Sequence, residues 1–300
     1  MNLTNRRWLY GPILAVVALL GCSKTVPPFD ADRAFVDLVK QTEFGPRVPG
    51  TRGHEQCRDW LRVQLGVLAD TLIEQQFRGR PPGFNDSVLM CNYVGRFGAN
   101  RSHRILLCAH WDTRPFADRN ADSAGRHQPV LGANDGASGV ALLLEIARAM
   151  RAQAPSIGVD IALFDGEDAG LYSQEAGWCL GSRYFADHLP ADYKWAILVD
   201  MVGDSDLQIF KEGYSLKYAP ALVDKVWKVA AAVGETAFRP ELEDAIFDDH
   251  MPLLAKGIQT IDIIDMRYPY WHTTHDSPDK CSPRSLASVG RVLLQLIYSE

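Results

Sequence analysis

Four times in this chain an apolar run, or the loop behind one, ends in side chains able to hold a metal or move a proton. Ile105-Leu-Leu-Cys-Ala-His110-Trp-Asp112 ends in His-x-Asp, and Asp160-Ile-Ala-Leu-Phe-Asp-Gly-Glu167-Asp168 ends in adjacent acids. Ala196-Ile-Leu-Val-Asp200 ends in one acid, and a later loop reads Tyr270-Trp271-His272-Thr273. Between the first two lies Leu131-Gly-Ala-Asn-Asp135-Gly-Ala-Ser-Gly139, whose small residues allow a tight turn before Val140 to Arg148 continues at helical spacing. Alone, Asp135 would be a carboxylate answering a helix dipole. Bracketed by the other endings, it reads as a ligand. Zinc takes His nitrogen and carboxylate oxygen, usually four ligands, and a catalytic site keeps one position open. Asp135, Asp168 and His272 meet that requirement, while Glu167 stays free as a general base. Asp112 is expected to orient His110 from behind.

The elements that must position these residues alternate. Helices are predicted over Phe29 to Phe44 and Arg52 to Ala69, and strands over Thr71 to Phe77, Val88 to Phe97 and the run ending at His110. Then follow a helix at 137–151, a strand at 158–165, a helix around 182–188 and a strand at 195–200. Asp206 to Phe210 reads as a short strand, Pro220 to Val233 as a helix and Gln259 to Ile264 as the last strand. A closing helix runs from Ser282 to Tyr298, with Ser282 as cap and Pro283 at its first position. The alternation predicts the α/β class, a mostly parallel central sheet with helices on both faces. Ligands in such sheets bind at the strand C-terminal edge, where His110, Asp168 and Asp200 fall. The polar stretch Thr113 to Val130 is long enough to suggest a functional loop.

Composition narrows the class without naming a function. Hydrophobic residues make up 47% and charged ones 23%, a globular balance. A net charge of -6 with no basic run gives no reason to expect nucleic acid. Arg6 and Arg7, an apolar run from Trp8 to Leu20 and small residues before Cys22 describe a secretory signal. Leu19-Leu-Gly-Cys22 resembles a bacterial lipobox with Cys22 as the lipidated residue. The expected organisation is a signal segment 1–21, a tether 22–29 and one catalytic α/β domain 30–300. The expected location is the bacterial cell envelope, exported and held to the membrane by the lipid anchor. The remaining cysteines, Cys57, Cys91, Cys108, Cys179 and Cys281, allow at most two disulfides, and no pairing follows from spacing. His54, His103, His127, His188 and His275 have no ligand-like context and are expected at the surface.

From about Phe29 onward the ordered motifs resemble the zinc-dependent aminopeptidases and the glutaminyl-peptide cyclotransferases that share their fold. The motifs are His110-Trp-Asp112, Gly132-Ala-Asn-Asp135, Phe164-Asp-Gly-Glu167-Asp168, Asp200, Asp248-Asp-His250 and Trp271-His-Thr273. In the two-zinc peptidases the resemblance implies a bridging Asp135, with His110 and Asp200 on one ion and Asp168 and His272 on the other. In the cyclases it implies one zinc on Asp135, Asp168 and His272. Glu167 and Asp200 would then move protons, Asp248 would join their hydrogen-bond network and Trp271 would line the substrate pocket. Trp271 before the ligand His and the Phe247-Asp-Asp-His-Met-Pro-Leu253 segment resemble the cyclases, and His110-Trp-Asp-Thr-Arg-Pro-Phe116 resembles their bacterial branch. Two departures stand out: Asp168 replaces the usual second Glu, and Ser173 stands where animal cyclases carry a Trp, leaving Trp178 as its substitute. The expected activity is conversion of N-terminal Gln of peptides or proteins to pyroglutamate. Aminopeptidase is the alternative, and an inactive metal-binding lipoprotein is the alternative from another class.

Overall fold

The computed structural model describes residues 25–171 and 175–300. The expected signal segment 1–21 and lipidated Cys22 lie outside the described residues.

The central sheet has six strands: β1 (Thr71–Gly79), β2 (Val88–Phe97), β3 (Arg104–His110), β4 (Gly158–Phe164), β5 (Ala196–Asp200) and β8 (Thr260–Ile264), in the order β1-β2-β4-β3-β5-β8. β4, β3, β5 and β8 are parallel neighbours. β1 and β2 form a hairpin that joins β4 antiparallel, so the sheet is mixed, with a parallel core. A separate pair, β6 (Ile209–Lys211) and β7 (Phe238–Leu242), lies outside it. β6 starts later than the predicted strand. β7 was not predicted, because Pro240 weakens its strand pattern and suits only an edge position.

Alternation within β3 and β5 sends side chains to two layers. Ile105, Leu107, Ile197 and Val199 face the larger core with α1 (Ala31–Glu43), α2 (Arg52–Leu68), α3 (Ala137–Ala152), α6 (Pro220–Ala232) and α8 (Pro283–Ser299). Leu106, Cys108 and Leu198 face a smaller core with α4 (Leu180–Asp187) and α7 (His250–Ala255). A last short helix, α5 (Gly213–Tyr218), packs on β8. α3 is apolar nearly all round, which fits a helix buried between the sheet and its neighbours. It lies so close to the sheet that a Cβ on Gly139 would stand 2.4 Å from the Val199 carbonyl oxygen. The closing helix is capped as predicted: Ser282 Oγ accepts the Arg284 N–H, and Pro283 opens the first turn.

One expectation is corrected here. His54 is fully buried, with Nε2 2.9 and 3.0 Å from the two Asp165 oxygens and its ring stacked on Trp111. The other four histidines expected outside are exposed. The five described cysteines are all free and buried, so no disulfide joins them.

Candidate metal centre and its cavity

The C-terminal ends of the parallel strands converge as the sequence predicts. His110 closes β3, Asp200 closes β5, and Glu167-Asp168 follow β4 after a turn at Gly166. Asp135 precedes α3. Gly136 behind it has φ +94, and a Cβ there would stand 2.6 Å from the Asp112 carbonyl oxygen, so the turn requires glycine. His272, in the loop after β8, is itself held at φ 54.

These side chains form two overlapping sets that share Asp135. His110, Asp135 and Asp200 offer ligand atoms within 4.8 Å of one another, and so do Asp135, Asp168 and His272. In the second set His272 Nε2 stands 3.3 Å from Asp168 Oδ1 and 3.6 Å from Asp135 Oδ2. Tetrahedral zinc bonds of about 2.0–2.1 Å separate N and O ligands by about 3.3 Å, so the donors already stand near zinc spacing. Asp135 Oδ2 and Asp168 Oδ2 are buried without a hydrogen-bond partner, a costly state that a cation would relieve. In the first set His110 Nε2 lies 3.1 Å from both Asp135 Oδ1 and Asp200 Oδ1. The residues fit a bound cation.

Outer contacts hold both sets. The Asp112 carboxylate lies 3.6 Å from His110 Nδ1 and accepts the backbone N–H groups of Glu167 and Asp168, at 3.0 and 3.2 Å. Thus Asp112 orients its neighbours, as expected, and fixes the acidic pair as well. Sequence reasoning gave no role to three further residues. Arg114, fully buried, donates to Asp168 Oδ1 at 3.1 Å and to the Asp168 and Gly170 carbonyls. Asp118 stands 3.5 Å behind His272 Nδ1. Asp276 accepts the N–H groups of Asn134 and Asp135 at 2.8 and 3.0 Å and the Tyr268 hydroxyl at 2.7 Å. The polar stretch after Thr113 is therefore a built wall of the site: Arg119 N–H also bonds the His272 carbonyl.

The sets open into a cavity of about 560 Å³. Asp135, Glu167, Asp200, Asp248 and His272 line it with Trp178, Trp271, Tyr214, Phe247 and other apolar side chains. Trp271 lies 4.2 Å from the His272 ring, and Trp178 stacks on that ring at 6.3 Å with an interplanar angle of 11°. Burial, then the neighbouring Asp248 and Asp168 charges, push the Glu167 carboxyl well above the usual range. Burial and Asp200 push Asp248 up to about 7. Asp262 is buried against Asp248. Asp249 faces away, accepting the Ser182 hydroxyl, and His250 packs between Glu212 and Asp262, at 3.5 and 3.9 Å.

A sheet whose parallel core brings His and carboxylate side chains to one edge has the arrangement of a metal-dependent α/β enzyme. The sequence pattern of Peptidase family M28 matches residues 92–297, and the chain belongs to that family. A glutaminyl cyclase from Bacteroides thetaiotaomicron, solved with N-acetylhistamine, is 40% identical and superposes with a TM-score of 0.89 over 92% of this chain and 100% of that one. A leucine aminopeptidase precursor from the same organism is also 40% identical, with a TM-score of 0.89 over 92% and 99%. The glutaminyl-peptide cyclotransferase-like protein of Bos taurus is 22% identical over 318 residues, covering 96% of this chain and 80% of its own. The chain is thus an M28-family enzyme with cyclases and zinc exopeptidases among its structural neighbours.

Proposed function

We propose that this chain is a glutaminyl-peptide cyclotransferase, closing the N-terminal glutamine of peptides or proteins to pyroglutamate with loss of ammonia. One observation carries the choice. Asp168 Oδ2, like Oδ2 of the shared Asp135, is buried without a hydrogen-bond partner, whereas no Asp200 oxygen is left in that state and its Oδ1 meets His110 Nε2 at 3.1 Å. That contrast supports one resident cation, on Asp135, Asp168 and His272, and leaves Asp200 to proton chemistry. A zinc ion held there supplies Lewis acidity toward the γ-carbonyl of the substrate glutamine.

The chain's own groups do the rest. The substrate α-amine attacks the carbonyl carbon of its own side-chain amide, so the enzyme's task is to hold a folded conformer rather than join two molecules. Glu167, buried at the cavity wall, accepts the proton the amine loses and returns it to the departing amide nitrogen. The C–N bond to that nitrogen breaks as the lactam C–N bond forms, and ammonia leaves. Asp200 and Asp248 keep the proton within the acidic wall; burial raises both carboxyls, that of Asp248 up to about 7. Trp271 and Trp178 shape the apolar side that receives the glutamine stem.

The second reading, a two-zinc aminopeptidase, is favoured by the compact His110, Asp135 and Asp200 set. Glu167 would then take a proton from the water that attacks the first peptide bond. An inactive metal-binding protein is disfavoured because the base and the ligands are all in place. Mass spectrometry of Gln-Phe-Ala and Leu-Phe-Ala after incubation with the zinc-loaded protein separates the readings. Ammonia loss from the first with the second intact is expected; release of free leucine would assign the peptidase, and inertness to both the binder. The export and Cys22 anchoring read from the N-terminal sequence belong to the same proposal. Labelling with a radioactive fatty acid in the native host, lost in Cys22→Ala, tests them.

A further inference from the structure

We propose a further cation site in the cavity wall, built from Glu167, Cys179 and Asp248, at which excess zinc or another thiophilic divalent ion stops turnover. The site shares no ligand with Asp135, Asp168 and His272, and its own ligand atoms lie within 4.8 Å of one another. Cys179 Sγ stands 3.6 Å from Glu167 Oε1. Tetrahedral bonds of about 2.3 Å to sulfur and about 2.0 Å to oxygen put such atoms about 3.5 Å apart. Asp248 is 4% exposed, and its Oδ2 meets no N–H or hydroxyl donor among the described residues, only the buried Asp262 carboxyl beside it.

The backbone brings the thiol to this place. Cys179 sits at φ 56, a conformation few side chains other than Asn, Asp or Gly adopt, at the head of α4. Its N–H donates to the Glu167 carbonyl at 3.0 Å, so the two residues are tied at both backbone and side chain. A thiol among carboxylates selects zinc, cadmium or cobalt over magnesium and calcium. Binding exchanges the thiol proton for the metal: the S–H bond breaks, the S–metal bond forms and the proton leaves to solvent. With its carboxylate held by the ion, Glu167 can no longer accept a proton from substrate. The proposal rests on Glu167 as the base, a role common to cyclase and peptidase.

The test begins with purified protein carrying one equivalent of cobalt, to which more cobalt is added while absorption and turnover of Gln-Phe-Ala and Leu-Phe-Ala are followed. A thiolate-to-cobalt charge-transfer band should grow as turnover falls. In Cys179→Ser the band should be absent, and half-inhibition should need at least about tenfold more metal, the scale of losing a metal contact. Cys179→Ala serves should the serine variant fail to fold. Inhibition without the band, the same band in the variants, or no band in the wild-type protein would overturn the site. The band needs no substrate, so a chain that turns over neither peptide would sink the functional reading while leaving the metal site decided by absorption.

Discussion

The two ligand sets that share Asp135 differ in what stands around them. Around Asp168 and His272, Arg114 and Asp118 occupy the outward atoms, yet oxygens of Asp135 and Asp168 remain unmatched. Around His110, Asp112 stands behind the ring and Asp200 in front of it, so the imidazole is already embedded among acids. In the reading proposed above, Asp135, Asp168 and His272 are the cation seat, while His110 and Asp200 remain a hydrogen-bonded pair. Counting ligands alone does not separate a one-metal from a two-metal enzyme.

The most direct attack on that contrast is to remove one imidazole at a time. His272→Ala should lose bound zinc and all turnover, read by metal analysis and peptide assay, whereas His110→Gln should keep one equivalent. Loss of one ion out of two in His110→Gln would instead make the sets equivalent. Next in size, Glu167→Gln should slow turnover by about 10²–10⁴, the contribution of a positioned base, with zinc content unchanged. Smaller still is Asp276→Ala. It strands two buried N–H groups, costing about 1–3 kcal/mol each, and should weaken zinc about 10–100-fold in competition with a chelator, with a lowered denaturation midpoint. The smallest effect concerns the segment carrying Asp248. Glu212 accepts the N–H groups of Tyr214, Ser215 and Ile246, and these bonds with His250 nearby outweigh burial and hold its carboxyl at about 2. Because this pKa is depressed, its stabilisation, on the order of 3 kcal/mol, is full above about pH 4.5 and fades toward pH 2. Glu212→Gln should flatten the fall in unfolding free energy between those limits, measured by denaturant titration.

Asp135, Asp168 and His272 were legible because each follows an apolar run or a small-residue turn, signals carried within a few neighbours. Their supports were not. Asp276 acts on backbone N–H groups of residues 134 and 135, and Arg114 acts on Asp168, so the meaning of each lies far along the chain. His54 was within reach: it shares the buried stripe Cys57, Leu61 and Leu65 of α2, and helical spacing alone points it inward. The parallel core of the sheet followed from alternation, while the antiparallel hairpin of β1 and β2 has no helix between its strands and marks the departure.

The grip of Asp276 on the Asn134–Asp135 turn also sets an order of events during synthesis. The loop that bears Asp135 leaves the ribosome about 140 residues before the carboxylate that shapes it, and His272 emerges almost as late. A growing chain, even with β3, α3 and β4 folded, lacks the donor arrangement needed to trap an ion tightly. On the proposed set of Asp135, Asp168 and His272, metal binding would therefore wait for the finished polypeptide.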